Sequence, residues 1–297
     1  MSRRTLRALL ILITSLSAGA ILLAQGQGGA PAGPAPVLNQ SSNPLLQDFK
    51  FRSIGPAVMG GRIDDIECVE KDPWTCYVGY AVGGVFKTVD GGVTWNELIG
   101  EQPAASVGDI AIAPSNAEVV YVGTGEANNR QSSSIGNGMY KTIDGGKTWS
   151  HLGLADTQSI ARVIVHPTNP DIVYVAAMGH LFGPNDERGL FKSIDGGKTW
   201  KKVLFVNAFT GATDVVINAA NPKIMFAAMY QRVRTGWGYN GGIPNGGAGI
   251  YQSTDGGDSW KKVTDPGLPH DPIGKIDIAI APSNGQRVYA LIQTKDQ

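Results

Sequence analysis

The feature that most restricts how this chain can fold is an octamer that occurs four times. It reads Thr88-Val89-Asp90-Gly91-Gly92-Val93-Thr94-Trp95, Thr142-Ile143-Asp144-Gly145-Gly146-Lys147-Thr148-Trp149, Ser193-Ile194-Asp195-Gly196-Gly197-Lys198-Thr199-Trp200 and Ser253-Thr254-Asp255-Gly256-Gly257-Asp258-Ser259-Trp260. The aspartates stand 54, 51 and 60 positions apart (144−90, 195−144, 255−195). Such a period belongs to repeat architectures in which each unit is one supersecondary element. Asp-Gly-Gly between β-rich runs predicts a hairpin tip, because glycine supplies positive φ without steric cost and the aspartate accepts turn N–H groups. The Ser or Thr two residues earlier adds a hydroxyl to the same loop. The closing Trp offers on the order of 150–250 Å² of surface to a neighbouring sheet. Asp90, Trp95, Asp144, Trp149, Asp195, Trp200, Asp255 and Trp260 therefore read as structural; a calcium loop would need more oxygen ligands at fixed offsets than one aspartate among glycines provides.

The segments between octamers are short β-runs separated by turn signals. In the second copy, residues 109–113 are followed by a Pro114-Ser115-Asn116 turn, residues 119–123, a loop, residues 138–142, the octamer turn and residues 148–152. Four strands of this length predict one blade of an all-β propeller of antiparallel four-stranded blades. First strands start near Arg62, Val107, Ile160, Ala212 and Gly274, so residues 48–297 hold four blades and the inner half of a fifth. This reads as part of a larger ring of about seven blades, since an open propeller leaves strand edges unpaired. The 40 glycines suit so many turns.

Residues 1–24 have a basic start, Arg3-Arg4, then an apolar run and small residues near Ala24, the layout of a secretory signal peptide. An uncleaved anchor is the alternative. Residues 25–47 are Gly/Ala/Pro-rich without periodicity and read as a linker. The expected location is exported, periplasmic or extracellular. The 25 basic and 25 acidic residues cancel, which gives no electrostatic case for nucleic acid, nor for a membrane surface once the signal is removed. Cys68 and Cys76 flank an Asp72-Pro73 turn and form either a hairpin disulfide or two buried thiols; no spacing points to a metal or a cofactor. Oligomeric state is not written in these residues.

Propeller topology sends the octamers and the Pro/Asn turns to one face and the second-to-third loops to the other. Those loops vary in length: Ala81 to Gly84 in blade one, Gly125 to Gln131 in blade two, Gly179 to Arg188 in blade three and Gln231 to Asn240 in blade four. Binding groups concentrate on variable loops held by a rigid scaffold. The ligand-binding candidates are Arg130, His180, Arg188, Arg234, Trp237 and Tyr239, and the catalytic candidates are Glu126, Asp186 and Glu187; the alternative is salt bridging between loops. Asp65, Asp109, Arg162, Asp214 and Asp277 fall at one equivalent first-strand position near the axis. They form either a polar channel or caps on the backbone of adjoining blades.

The order Ser/Thr-x-Asp-x-Gly-x-Thr/Ser-Trp resembles the Asp-box, or bacterial neuraminidase repeat, of sialidases, sortilin-type receptors, xyloglucanases and photosystem assembly factors. The runs Phe51-Arg52-Ser53-Ile54-Gly55-Pro56 and Tyr121-Val122-Gly123-Thr124-Gly125-Glu126 are similar to the opening of large secreted bacterial Asp-box proteins labelled glycosyl hydrolase or sortilin-like. The resemblance implies a propeller that binds a peptide or glycan, or else part of a glycoside hydrolase with catalytic residues beyond Gln297. Xyloglucanase-type propellers carry a catalytic Asp before the Val-Gly-Gly of blade one; here that position is Ala81. Phe51-Arg52-Ser53-Ile54-Gly55-Pro56 echoes the sialidase Phe/Tyr-Arg-Ile-Pro motif only loosely.

Overall fold

The computed structural model describes residues 61–99, 106–128, 133–232, 246–270 and 272–294. Blade one comprises β1 (Ile63–Val69), β2 (Asp72–Tyr80), β3 (Gly84–Thr88) and β4 (Asn96–Glu97); blade two comprises β5 (Val107–Ala113), β6 (Asn116–Thr124), β7 (Met139–Thr142) and β8 (Ser150–His151). Blade three is β9 (Ile160–Val165), β10 (Val173–Ala177), β11 (Gly189–Ser193) and β12 (Lys201–Leu204). Blade four is β13 (Thr210–Ile217), β14 (Met225–Gln231), β15 (Gly249–Ser253) and β16 (Lys261–Lys262), and β17 (Ile273–Ile280) and β18 (Val288–Thr294) form a two-stranded fifth sheet. In every sheet the strands are antiparallel and neighbours follow chain order. This is the β-propeller pattern expected from the sequence, and the only helical turn among the described residues is Ala155–Thr157.

Each octamer is closed by the same bonds. The Thr88 hydroxyl donates to Asp90 Oδ1 at 2.7 Å and accepts Gly92 N–H at 2.9 Å, while Asp90 takes the Thr94 amide at 2.9 Å and its hydroxyl at 2.6 Å. Asp144, Asp195 and Asp255 repeat this set. Both glycines of every copy have positive φ, from 68° at Gly145 to 99° at Gly146, which explains why two glycines follow the aspartate. The loop then docks on its own blade: Gly145 N–H donates to Glu118 O, Gly196 N–H to Asp171 O and Gly256 N–H to Lys223 O. The octamers and the first-to-second turns therefore share a face.

The core lies between blades. Tyr77, Val85 and Ile99 of blade one meet Val107, Ile110 and Tyr140 of blade two. Tyr121 and Met139 meet Ile160 and Val175 across the next joint, and Tyr174 and Leu190 meet Val215 and Met229 across the third. Each such aliphatic side chain contributes about 1.5–3 kcal/mol by leaving water.

The axial positions cap backbone. Asp65 accepts the Ile110 amide at 2.9 Å, Asp109 that of Val163 at 2.7 Å and Asp214 that of Ile278 at 2.7 Å, so each aspartate holds the first strand of the next blade. Blade three has Arg162 here, which cannot accept. The Val215 amide is instead taken by its neighbour Asp214 at 2.9 Å, and Arg162 bridges Asp214 (3.0 Å) and Asp109 (3.3 Å).

Cys68 and Cys76 are directly opposed on β1 and β2 and are joined by a disulfide. The hairpin turns at Glu70-Lys71, and Asp72 and Pro73 are the first residues of β2, a place where a strand tolerates proline.

Candidate functional site

On the variable-loop face, Glu126 occupies the start of the blade-two loop with its carboxylate wholly buried. Arg62 of blade one grips it with Nε at 2.9 Å from Oε1 and with Nη2 on Oε2. The Glu126 carbonyl accepts Ser159 Oγ at 3.1 Å and Arg232 Nη2 at 3.4 Å. Glu126 thus ties four blades together, and neither carboxylate oxygen faces solvent. Glu126, a catalytic candidate from the sequence, is thus held in a buried ion pair with Arg62 and does not project from the loop face. Nearby, Asn128 donates to Asp64 at 3.0 Å and accepts from Lys275 of the fifth sheet at 3.0 Å. Burial raises the Asp64 carboxyl above its ordinary range.

The blade-three loop is built around Arg188, whose side chain is fully buried. Its guanidinium donates to Met178 O (2.6 Å), His180 O (2.6 Å) and Gly183 O (2.9 Å), so it holds its own loop and does not reach outward as a ligand-binding arginine would. Burial lowers its pKa to about 10, which leaves it charged at neutral pH. Gly179 has φ of 74°, and a Cβ there would lie 2.3 Å from Arg188 Cγ, so glycine lets the arginine fold back.

His180 stands on this loop with Nε2 at 3.1 Å from both the carbonyl and Oδ1 of Asp156 and 3.1 Å from Asn185 Nδ2. Asp156 sits in the helical turn between β8 and β9, flanked by Leu154 (φ 58°) and Gln158 (φ 55°), the two left-handed non-glycine residues among those described. Strained backbone of this kind persists only where its surroundings fix it. The Asn185 amide donates to Ala208 O at 2.9 Å, fastening the loop to the segment that enters β13. Three phenylalanines are exposed on these segments: Phe182 (61%) at the loop tip, Phe205 (44%) and Phe209 (42%). Lys202 lies 5.1 Å from the Phe205 ring centroid, donates to Asp186 O and stands 3.6 Å from Glu187. Asp186 is exposed, Glu187 half-buried.

The structure thus gathers His180, Asp186, Glu187 and Arg188 on one loop, with Arg188 beneath the others. Arg130, Arg234, Trp237 and Tyr239 lie outside the described residues. Asp156, Phe205 and Phe209 were missed because they belong to connections between blades, not to the second-to-third loops whose length variation drew attention. Among the described residues no group of three or more His, Cys, Asp or Glu is placed to hold a metal. No helix among them is long and apolar enough to cross a membrane.

Residues 83–234 match the Sortilin-Vps10 model, described as sortilin, neurotensin receptor 3. That is 152 of 297 residues (234−83+1), just over half of the sequence. The chain belongs to the Sortilin-Vps10 family. This member is also 26% identical over 255 residues to a xyloglucanase of Hypocrea jecorina (strain QM6a), covering 76% of this chain and 28% of that protein. A Paenibacillus xyloglucanase is 24% identical over 270 residues, covering 82% and 25%. The chain spans about a quarter of the length of these curated relatives. Among solved structures, an ancestral GH74 enzyme superposes with a TM-score of 0.60 at 23% identity, over 81% of this chain and 28% of that one. The GH74 enzyme of Niastella koreensis gives 0.55 at 20%, over 76% and 33%. These likenesses show the propeller fold, in a chain whose relatives include glycoside hydrolases.

Proposed function

We propose that this family member is an exported Asp-box propeller that recognises a glycan through its variable-loop face and does not cleave it. The observation that carries this reading is the blade-three loop. Arg188, Asn185 and the strained turn around Asp156 fix a loop that presents the exposed Phe182 beside His180 and Asp186, and the connection that Asn185 fastens to this loop carries the exposed Phe205 and Phe209. Aromatic faces on a pre-organised loop suit the C–H surface of a sugar ring, and the polar rim suits its hydroxyls. That the curated relatives are xyloglucanases supports a glycan over a peptide. Against hydrolysis stand Ala81 at the blade-one position where an acid is expected, itself fully buried, and the sequestration of Glu126. Glycosidases ordinarily need two opposed carboxylates. In this reading residues 1–24 act as the export signal.

The test is titration calorimetry against xyloglucan oligosaccharides and other soluble β-glucans, run beside an assay for released reducing ends. Saturable binding, weakened about tenfold or more by Phe182→Ala, without sugar release is the expected result. Release abolished by Asp186→Asn would replace this reading with a hydrolase.

A further inference from the structure

Blade two passes to blade three through a turn bent more sharply than the crossing requires. Leu154 (φ 58°) and Gln158 (φ 55°) bracket Ala155–Thr157 in left-handed conformations. The equivalent connection from β12 to β13, residues 205–209, makes the same kind of crossing with no left-handed residue. A residue with a side chain adopts this conformation at a cost, so the surroundings must fix it. The blade-two loop does so. A Cβ on Gly125 would lie 1.9 Å from Gln158 O and one on Gly138 2.0 Å from Gly153 O, so these two glycines let that loop close on the back of the turn. The Gly136 amide then donates to Gln158 O at 2.9 Å and the Met139 amide to Gly153 O at 3.0 Å.

The front of the turn carries one charged group, Asp156. Its side chain is 67% exposed, yet both carboxylate oxygens are oriented from the blade-three loop. Oδ1 lies 3.1 Å from His180 Nε2, and Oδ2 accepts Asn185 Nδ2 at 3.3 Å. Among the described residues no lysine or arginine pairs with it, so the carboxylate is aimed without being neutralised by a fixed cation. A carboxylate has about four lone-pair sites. One protein partner on each oxygen leaves a lone pair on each for a ligand. The cations of the same loop are turned elsewhere: Arg188 donates to the Met178, His180 and Gly183 carbonyls, and Lys202 to Asp186 O. Beside the exposed Phe182, therefore, the turn and the loop offer hydrogen-bond acceptors.

We propose that Asp156 is the specificity-determining residue of the glycan site: its two oxygens accept adjacent hydroxyls of one sugar ring, and the left-handed turn holds it at the angle this requires. The inference rests on the glycan reading and adds the group recognised, a vicinal diol. Hydrogen bonds to a carboxylate are roughly twice as strong as those between neutral groups. A ring with both hydroxyls free is therefore bound in preference to one in which they are blocked.

The test is titration calorimetry of the full chain with a soluble cello-oligosaccharide and with its O-methylated counterpart, which keeps the ring and its C–H surface but has no hydroxyl donors. The wild type should bind the free sugar about tenfold or more tightly than the methylated one. Asp156→Asn should weaken binding of the free sugar about tenfold and leave the methylated one unaffected, with Tm unchanged because the side chain is exposed. Leu154→Gly and Gln158→Gly relieve the turn and loosen it, so each should hold or raise Tm while weakening binding about threefold or more. Asp156→Asn with wild-type affinity, or a wild type that binds both sugars alike, overturns the proposal; weakened binding by Phe182→Ala in the same series leaves the glycan reading standing. Glycine variants that bind as the wild type does, or whose affinity falls only in step with Tm, overturn the role given to the turn. A wild type that binds no β-glucan removes the glycan reading and this inference with it.

Discussion

Replacing Arg188 by methionine tests whether the blade-three loop is pinned as the geometry indicates. The substitution keeps much of the apolar stem and removes three charge-assisted hydrogen bonds, to Met178 O, His180 O and Gly183 O. The bond to Met178 O is buried and the other two are part-buried, so the equivalent of roughly two carbonyls loses its partner without regaining full hydration. At about 1–3 kcal/mol for each orphaned buried group, the loss is about 2–6 kcal/mol. Removing a buried cation with no carboxylate partner returns part of its desolvation cost, leaving a net loss of about 2–4 kcal/mol. For a domain of this size each kcal/mol moves Tm by roughly 2–4 °C, so a fall on the order of 4–16 °C is expected if the loop unfolds with the blade. The assay is urea and thermal denaturation, with hydrogen exchange of the Asn185 amide as a local probe of the bond to Ala208. Glycan binding should fall together with that protection although Phe182 is untouched. A variant with unchanged Tm and unchanged Asn185 protection would refute the claim that Arg188 organises the loop.

Other outcomes follow from the same structure. Burial, with Asp65 beside it, pushes Glu67 up to about 7 from its ordinary 4.5. A carboxyl raised in the folded state makes stability fall as pH rises from about 4.5 to about 7; half-exposure discounts the full linkage value to about 1–2 kcal/mol. Glu67→Gln should therefore stabilise at pH 8 and have little effect at pH 4, measured by urea midpoints. The octamer aspartates behave oppositely: the hydroxyl and amide of Thr94 hold Asp90 down to about 2, and Thr199 does the same for Asp195. Their contribution is present above about pH 4 and is lost as pH falls through about 2, so Asp90→Asn and Asp195→Asn should flatten the acid limb of a Tm-against-pH curve. Reduction of Cys68–Cys76, which closes a short loop, should cost roughly 2–3 kcal/mol of stability, read as a lower urea midpoint in dithiothreitol.

The repeat, the strand order and the octamer turn were legible in the sequence because each rests on local chemistry. Asp-Gly-Gly needs only its own backbone to require two positive φ angles, and β-runs such as 119–123 declare themselves by composition. The identity of the inter-blade bonds was half legible: the axial aspartates could be aligned, but whether they lined a channel or capped amides depended on where the next strand ran. Glu126 and Arg188 show the remaining gap. Both are charged residues in polar loops, the usual appearance of ligand groups, yet Arg62 from 64 positions away encloses one and the loop's own carbonyls enclose the other.

What the sequence by itself determined is the unit: four strands, one octamer and the period that stacks such units into a propeller. What only the tertiary structure decided is which side chains meet across that stack. The bond of Asp156 to His180 and the fork of Arg62 on Glu126 both join residues from different strands or blades. Their proximity follows from the rotation between neighbouring blades, a quantity fixed by packing of the buried faces and carried by no local pattern in the chain.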